Sequence, residues 1–352
     1  MQKIFLVLSF DHELSLGGAR SYAHNLFEPA DALLDAANAL KVPVCFFTDI
    51  LCQLRFKEWD PAGFCAAYER QLQRAVLEGH EVQLHLHPHW VEVGLAGGRF
   101  ALGNRYSLGD FANEPPPNDM EGILSRGVVE LHRVCAAADD RYRCRAYRAG
   151  GYSYGAAEER QTALLWQHGL RVESSVAKGY FLKTQSTGVN FRQMPAAANW
   201  FIEPGGRLAS PGAQGLFEVP IASAPRTPAN NLVFLAKRVL ARHQRRNSGG
   251  IGFHARKDRW GNKLARLFPR SAWMLSFDAF TQTAADLVAI LQRHLGGHPG
   301  VETIYCSAIG HPKSMGPYQL RLFRDFVTRA REVFGSSLSF TTYDEIAKAQ
   351  GL

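Results

Sequence analysis

Apolar runs and helical-period segments alternate along the first ninety residues, and this alternation limits the available folds more than any other feature of the chain. Residues 3–9 form an apolar run that meets Asp11, His12 and Glu13. Leu33, Leu34, Ala37 and Leu40 then fall at helical spacing within 29–40, and a second apolar run, 42–49, again ends in an acid, Asp49. Phe64, Tyr68, Leu72 and Val76 recur every four residues and predict an amphipathic helix over 64–78, stopped at Gly79. Val82, Leu84 and Leu86 alternate with polar residues, the period of a strand. Pro88 cannot donate to a ladder, so that strand ends near His87. Strand, helix, strand, helix, strand implies parallel strands with crossover helices, hence an α/β barrel or a doubly wound sheet.

The remainder keeps the rhythm with one long break. Residues 91–117, with glycines and three consecutive prolines, predict a long loop. Helix 120–138, strand 145–148, the Gly150-Gly151 turn, a helix to His168 and strand 170–174 follow. The stretch 179–272 is rich in glycine, proline and basic residues, with one clear strand at 216–221. Strand 273–277, helix 281–295, strand 302–307, helix 318–334, strand 338–341 and a final helix close the chain. About eight strands, each early one followed by a helix, favour a single barrel-like domain over 1–352 with 179–272 inserted in it. At 352 residues and 46% hydrophobic, the chain can bury a core of that size.

Charge is concentrated in one place. Between Leu232 and Arg270 stand eleven Lys/Arg against Asp258 alone, which leaves the rest of the +8 chain at −2. No recognised nucleic-acid motif accompanies these cations. Leu232, Leu235, Ala236, Val239 and Leu240 make the start of the segment amphipathic, which suits peripheral contact of 232–270 with an anionic membrane, or a diphosphate-linked substrate; a solvated charged helix is the plainer alternative. Six scattered cysteines without a Cys-x-x-Cys pair argue against a disulfide framework or a cysteine zinc site. The N-terminal apolar run is too short for a signal peptide, and no window reaches the length of a spanning helix. The expected location is cytoplasmic, peripheral at the inner membrane if the basic segment docks there.

Parallel α/β folds bind ligands at the carboxyl ends of their strands. Four such ends here carry reactive side chains: Asp11-His12-Glu13, His85 through His89, Arg148 before Gly150-Gly151, and His311-Pro312-Lys313. His80, His85, His87 and His89 are four of the chain's thirteen histidines. Imidazoles four residues apart, His85 and His89, can both reach one divalent cation, zinc or a similar ion. Two histidines and a carboxylate leave room for a water whose acidity the metal raises. A second carboxylate as base, a histidine as acid and a glycine-turn N–H as oxyanion donor would complete a metal-dependent amide or ester hydrolase.

These residues carry a resemblance. Ser9-Phe10-Asp11-His12-Glu13, Gly79-His80-Glu81 through His85 and His89, Tyr147-Arg148-Ala149-Gly150-Gly151-Tyr152, Val172-Glu173-Ser174-Ser175 and His311-Pro312 resemble, in order, the five motifs of the polysaccharide deacetylase superfamily (NodB-homology, carbohydrate esterase family four). The chain looks most similar to the branch found among lipopolysaccharide and O-antigen biosynthesis proteins. The resemblance implies a distorted (β/α) barrel of about seven to eight mostly parallel strands, NodB-like, with a long insertion. It implies Asp11 as general base, Arg148 as the residue orienting it, His311 as general acid and the Tyr152 N–H as oxyanion donor, with His85 and His89 on the metal. The family's second, metal-binding aspartate is replaced by His12, and the nearest carboxylate is Glu13. The two point to opposite faces of an extended strand, and Glu13 is favoured as third ligand because a carboxylate preserves the charge around the ion. Glu173 stands where aspartate is usual.

The implied activity is removal of an N- or O-acetyl group from a sugar of a cell-surface polysaccharide or of its lipid-linked precursor. The rivals are a catalytically inactive carbohydrate-binding relic of the same fold and a metal amidohydrolase for a small non-sugar amide. Trp90, Tyr152, Trp200 and Trp260 are either core residues or aromatic platforms for sugar faces.

Overall fold

Strand β1 (Lys3–His12) is the rail on which the sheet is assembled. One edge pairs along Lys3–Phe10 with β14 (Thr303–Gly310); the other pairs with β15 (Leu338–Phe340) at Ile4–Leu6 and with β2 (Cys45–Asp49) at Ser9–His12. The computed structural model describes residues 2–15, 21–97, 99–183, 188–240 and 271–352.

After β1 and β2 the chain runs through α1 (Glu28–Leu40, which precedes β2), α2 (Ile50–Phe56), α3 (Ala66–Leu77) and β3 (Glu81–Leu86). A hairpin, β4 (Gly94–Ala96) and β5 (Arg99–Ala101), leads to α4 (Met120–Ala136), β6 (Ala146–Ala149), α5 (Glu158–Gln167) and β7 (Val172–Glu173). Short strands β8 (Phe181–Lys183), β9 (Gly188–Asn190), β10 (Trp200–Ile202), β11 (Leu216–Glu218) and β12 (Ser223–Ala224) precede α6 (Pro228–Leu240). Then come β13 (Trp273–Met274), α7 (Ala284–Gly296), β14, α8 (Pro317–Phe334), β15 and α9 (Tyr343–Ala349).

The main sheet has the order β10-β11-β7-β6-β3-β2-β1-β14, parallel throughout except for β10 against β11. Beyond β11, Ile221 bridges Ser307 of β14, and Ser276 bridges Ile309, so the curled ribbon is drawn toward closure by single bridges instead of a full ladder. This is the barrel-like domain that the strand rhythm favours, in the distorted (β/α) form that the resemblance implies.

Alternation sorts the side chains. On β1, Ile4, Leu6, Leu8 and Phe10 face the layer of helices, while Val7 joins Cys45, Phe47, Ala146, Val172, Phe217 and Val219 inside the curl. Tyr343, Ile346 and Ala347 of α9 plug the interior from below. Glu81 at the start of β3 secures that plug by accepting the Tyr343 and Asp344 N–H groups, both at 2.8 Å, at the unsatisfied N-terminus of α9. Burial nevertheless pushes the Glu81 carboxyl up to about 7.

Some elements differ from expectation. Helix α2 starts directly at the end of β2, where the apolar run hides its onset. The expected loop 91–117 contains the β4–β5 hairpin and a turn, Leu108–Phe111, capped reciprocally by Ser107 and Asp110. The expected strand 216–221 keeps its ladder only over Leu216–Glu218, because beyond it the backbone crosses to β14. Of the basic stretch 232–270, residues 241–270 lie outside the described residues, as does Trp260.

Candidate active site

Four strand ends deliver polar side chains to one mouth. Asp11 lies on the inward face of β1 and Glu13 follows just beyond it; Arg148 comes from β6, His85 and His87 from the end of β3, and His311 and Lys313 from the segment after β14.

Arg148 is wholly buried and organises the floor. Its Nη1 donates to Asp11 Oδ1 at 2.6 Å, Nη2 to Ser9 Oγ at 2.9 Å, and Nε to the Ser174 carbonyl at 2.8 Å. The guanidinium lies over the Phe47 ring at 4.1 Å. Burial pushes the Asp11 carboxyl up, but the Arg148 guanidinium, with His311 behind it, outweighs this, and the group is held below the usual carboxylate range. Asp11 is thus an ionised carboxylate with Oδ2 turned into the mouth.

Beside it, ligand atoms of Glu13, His85 and His87 lie within 4.8 Å of one another. His85 Nδ1 sits 2.8 Å from the Arg148 carbonyl, an acceptor only, so Nδ1 carries the proton. The Nε2 lone pair then faces Glu13 Oε2 at 3.4 Å and Asp11 Oδ2 at 3.8 Å, buried and without a hydrogen-bond partner among the described residues. A lone pair aimed at two carboxylates is an arrangement that a cation between them relieves, and one carboxylate with two imidazoles is a zinc-type donor set. The residues present fit a divalent cation.

Glu13 is meanwhile engaged by His87 Nε2 on one oxygen and by the Lys313 ammonium on the other. Burial raises its carboxyl, and Lys313 and His87 overcome that and hold it well below its ordinary value. Gly150 permits this crowding: a Cβ there would lie 2.4 Å from the Leu86 carbonyl oxygen and 2.8 Å from His87 Nδ1.

His311 forms the opposite wall. Asp278 accepts its backbone N–H at 2.9 Å and its Nδ1–H at 2.7 Å, leaving Nε2 facing Asp11 Oδ2 at 3.6 Å and Glu13 Oε1 at 3.4 Å. Burial disfavours the imidazolium, yet Asp278 chiefly, and then Glu13, lift its pKa to about 9. The turn Gly150–Tyr152 closes the mouth, with Gly151 at φ 58° and Tyr152 at φ 60°, a conformation a tyrosine rarely takes.

The sequence-predicted residues Asp11, Glu13, His85, Arg148 and His311 converge here. His89 does not join the cluster. It lies in the turn Pro88–Val91 with its ring against Trp90 and Tyr106, at 5.4 and 5.6 Å, and neither nitrogen has a hydrogen-bond partner among the described residues. His12 faces outward, stacked on Phe46 at 5.1 Å and joined to Gln71 at 2.8 Å. His80 is also buried, accepting the Val44 N–H at 3.3 Å. Glu173 turns away from the mouth, holding the Ser175 N–H at 2.8 Å and standing opposite Glu218 on β11.

Two members, Asp278 and Asp49, were not assigned to the site from sequence. Asp278 follows the expected strand 273–277 as Asp49 ends 42–49, so an acid closing an apolar run was the available signal. Asp49 accepts Trp90 Nε1–H at 2.6 Å and the His87 N–H at 3.2 Å, tying the histidine turn to β2. Lys313 was grouped with His311 in the reactive segment at that strand end, without a role of its own.

No family model matches the chain, and no curated protein matches its sequence. Among solved structures, a protein of Mycobacterium smegmatis assigned as a polysaccharide deacetylase aligns over 100% of this chain and 92% of its own, at 14% identity and a TM-score of 0.51. One of Pseudomonas aeruginosa PAO1 with the same assignment covers 98% of this chain and 90% of its own, at 11% identity and 0.48. The family 4 carbohydrate esterase of Streptomyces lividans in complex with acetate covers 97% and 92%, at 9% identity and 0.38. The first of these alignments shows a common fold along the whole chain.

Proposed function

From the NodB-like fold that this chain shares with polysaccharide deacetylases, we propose that it is a metal-dependent sugar deacetylase. It hydrolyses an N- or O-acetyl group on a saccharide of a cell-surface polysaccharide or on its lipid-linked precursor, in the manner of lipopolysaccharide and O-antigen assembly.

The observation that carries this reading is the contrast between two facing groups. Asp11 is kept ionised by Arg148 and His311 is kept protonated by Asp278, with 3.6 Å between Asp11 Oδ2 and His311 Nε2. Groups whose surroundings push their pKa values apart are suited to the roles of base and acid. A divalent cation held by Glu13, His85 and His87 would supply Lewis acidity to the water and the acyl oxygen. Asp11 takes the proton of the water that adds to the acyl carbon. The Tyr152 N–H is offered to the oxygen that gains charge. As the carbon–nitrogen or carbon–oxygen bond breaks, His311 gives its proton to the sugar amine or hydroxyl, and acetate leaves. Arg148 does not titrate; it holds Asp11 in place.

The test is acetate release from a panel of acetylated sugars by purified, zinc-supplemented protein, beside Asp11→Asn. Release that persists undiminished in Asp11→Asn rejects the base. A second reading, the carbohydrate-binding relic, is favoured by one contact: Lys313 and His87 already neutralise Glu13. It predicts sugar binding by calorimetry with neither metal uptake nor turnover.

A further inference from the structure

The helix α6 presents its apolar side outward. Leu232, Val233, Val239 and Leu240 are 58%, 56%, 64% and 78% exposed among the described residues, and Ala236 is exposed between them. On a helix these five positions fall within an arc of about 120°. The opposite side is anchored: Asn231 is buried, Phe234 meets the Trp273 ring edge-on at 4.7 Å, and Lys237 pairs with Asp286 of α7 at 2.8 Å. Thus α6 is not inverted by a loose fit. Its polar and aromatic residues fix it to the body of the protein, and that fixing points the aliphatic stripe away.

We infer that this stripe is a docking surface for an anionic lipid surface, on which α6 lies in the plane of the headgroups. Charge complementarity selects the occupant. The 30 residues that follow α6 in sequence, 241–270, carry nine Lys/Arg against one Asp. Among the described residues, Arg293 is exposed on α7, and the half-buried Arg226 lies over Trp273 at 3.9 Å. An aliphatic stripe followed in sequence by concentrated positive charge is the pattern of interfacial segments, which join apolar insertion to attraction for anionic headgroups. Helix α6 is 13 residues long, and no helix of the described residues is long and apolar enough to cross a membrane, so it lies on the surface without spanning. The helix is tied through Trp273 to the segment that ends in Asp278, the partner of His311.

The experiment uses the full chain and vesicles of phosphatidylcholine, with or without about one quarter phosphatidylglycerol. The protein is expected to sediment with the anionic vesicles, weakly with phosphatidylcholine alone, and less as salt rises. The double variant Leu232→Glu/Val239→Glu should lose at least about tenfold in apparent lipid affinity. Leu77→Glu, at a 71% exposed leucine on α3, should bind as wild type does. Acetate release from a soluble substrate should be equal in all three proteins, which separates this inference from the catalytic reading. Equal sedimentation of the double variant, or none by wild type, overturns the proposal. So does lipid-free self-association that the double variant abolishes, which would make a second copy of the chain the occupant. Val233→Gln/Leu240→Gln, a milder pair on the same stripe, repeats the test should the first variant misfold.

Discussion

Arg148 Nη1 lies 2.6 Å from Asp11 Oδ1, and both side chains are buried inside the curl, joining β1 to β6 across the two strands that separate them in the sheet. A carboxylate at that depth is stable only with its partner, and the second oxygen is left free for chemistry. Replacing Arg148 with Met should therefore cost about 3–5 kcal/mol in urea unfolding, because an uncompensated buried charge remains. Asp11→Asn keeps an acceptor for the guanidinium and should stay folded while losing about 10²–10⁴ in kcat. A Met variant as stable as wild type would show that the pair does not hold the floor together.

Metal content separates the two histidine choices. His85→Ala and His87→Ala are expected to lower zinc affinity by about a hundredfold or more, measured by competition with a chelating dye, while His89→Ala lowers it less. Should His89→Ala be the more damaging of the two, the turn Pro88–Val91 rearranges on binding and His87 is an outer residue.

Lys313 occupies one oxygen of Glu13, so a cation that uses that oxygen has to displace an ammonium. Lys313→Met should raise zinc affinity, by about tenfold if the displaced contact is worth about 1.4 kcal/mol. Unchanged affinity would mean that Glu13 binds metal without giving up the lysine.

The alkaline limb of the pH profile depends on Asp278. His311, lifted to about 9, donates its proton only while protonated, so activity falls as pH rises through that value. Asp278→Asn removes the charge that lifts it and should move the alkaline fall of kcat to lower pH by one unit or more. An unmoved limb would assign the transition to another group.

A stability effect is expected away from the mouth. Burial, then the charges of His298 and Lys178, depress His294 to about 3, and its Nδ1 accepts the Ser223 N–H at 3.3 Å. The folded protein holds this histidine neutral, while the unfolded chain protonates it below about 6.5. The unfolded state then binds more protons, so stability is lost as pH falls, by about 2 kcal/mol from this group between pH 6.5 and 5. His294→Asn keeps an acceptor for Ser223 and should remove that part of the slope in urea titrations at the two pH values.

The reach of sequence reasoning differs residue by residue. The period of two along β1 placed Asp11 and Glu13 on the face opposite His12, and the structure shows His12 packed against Phe46 and Tyr68. Local patterning also located β3, β6 and β14, so that the sequence itself assigns Asp11, His85, Arg148 and His311 to one mouth. Asp278 escaped because its importance is a relation to His311, 33 residues away.

What the chain encodes locally is the strand-and-helix rhythm and the reactive residue at each strand end, since both depend on backbone periodicity and on side chains a few positions apart. Tertiary structure alone decided which imidazole meets Glu13. Beyond Leu86 the backbone leaves its ladder, and the path of the turn is set by Asp49 gripping Trp90 and the His87 N–H, and by Gly150 giving room to the His87 ring. Those contacts join segments that are distant in sequence, and no spacing rule along one strand contains them.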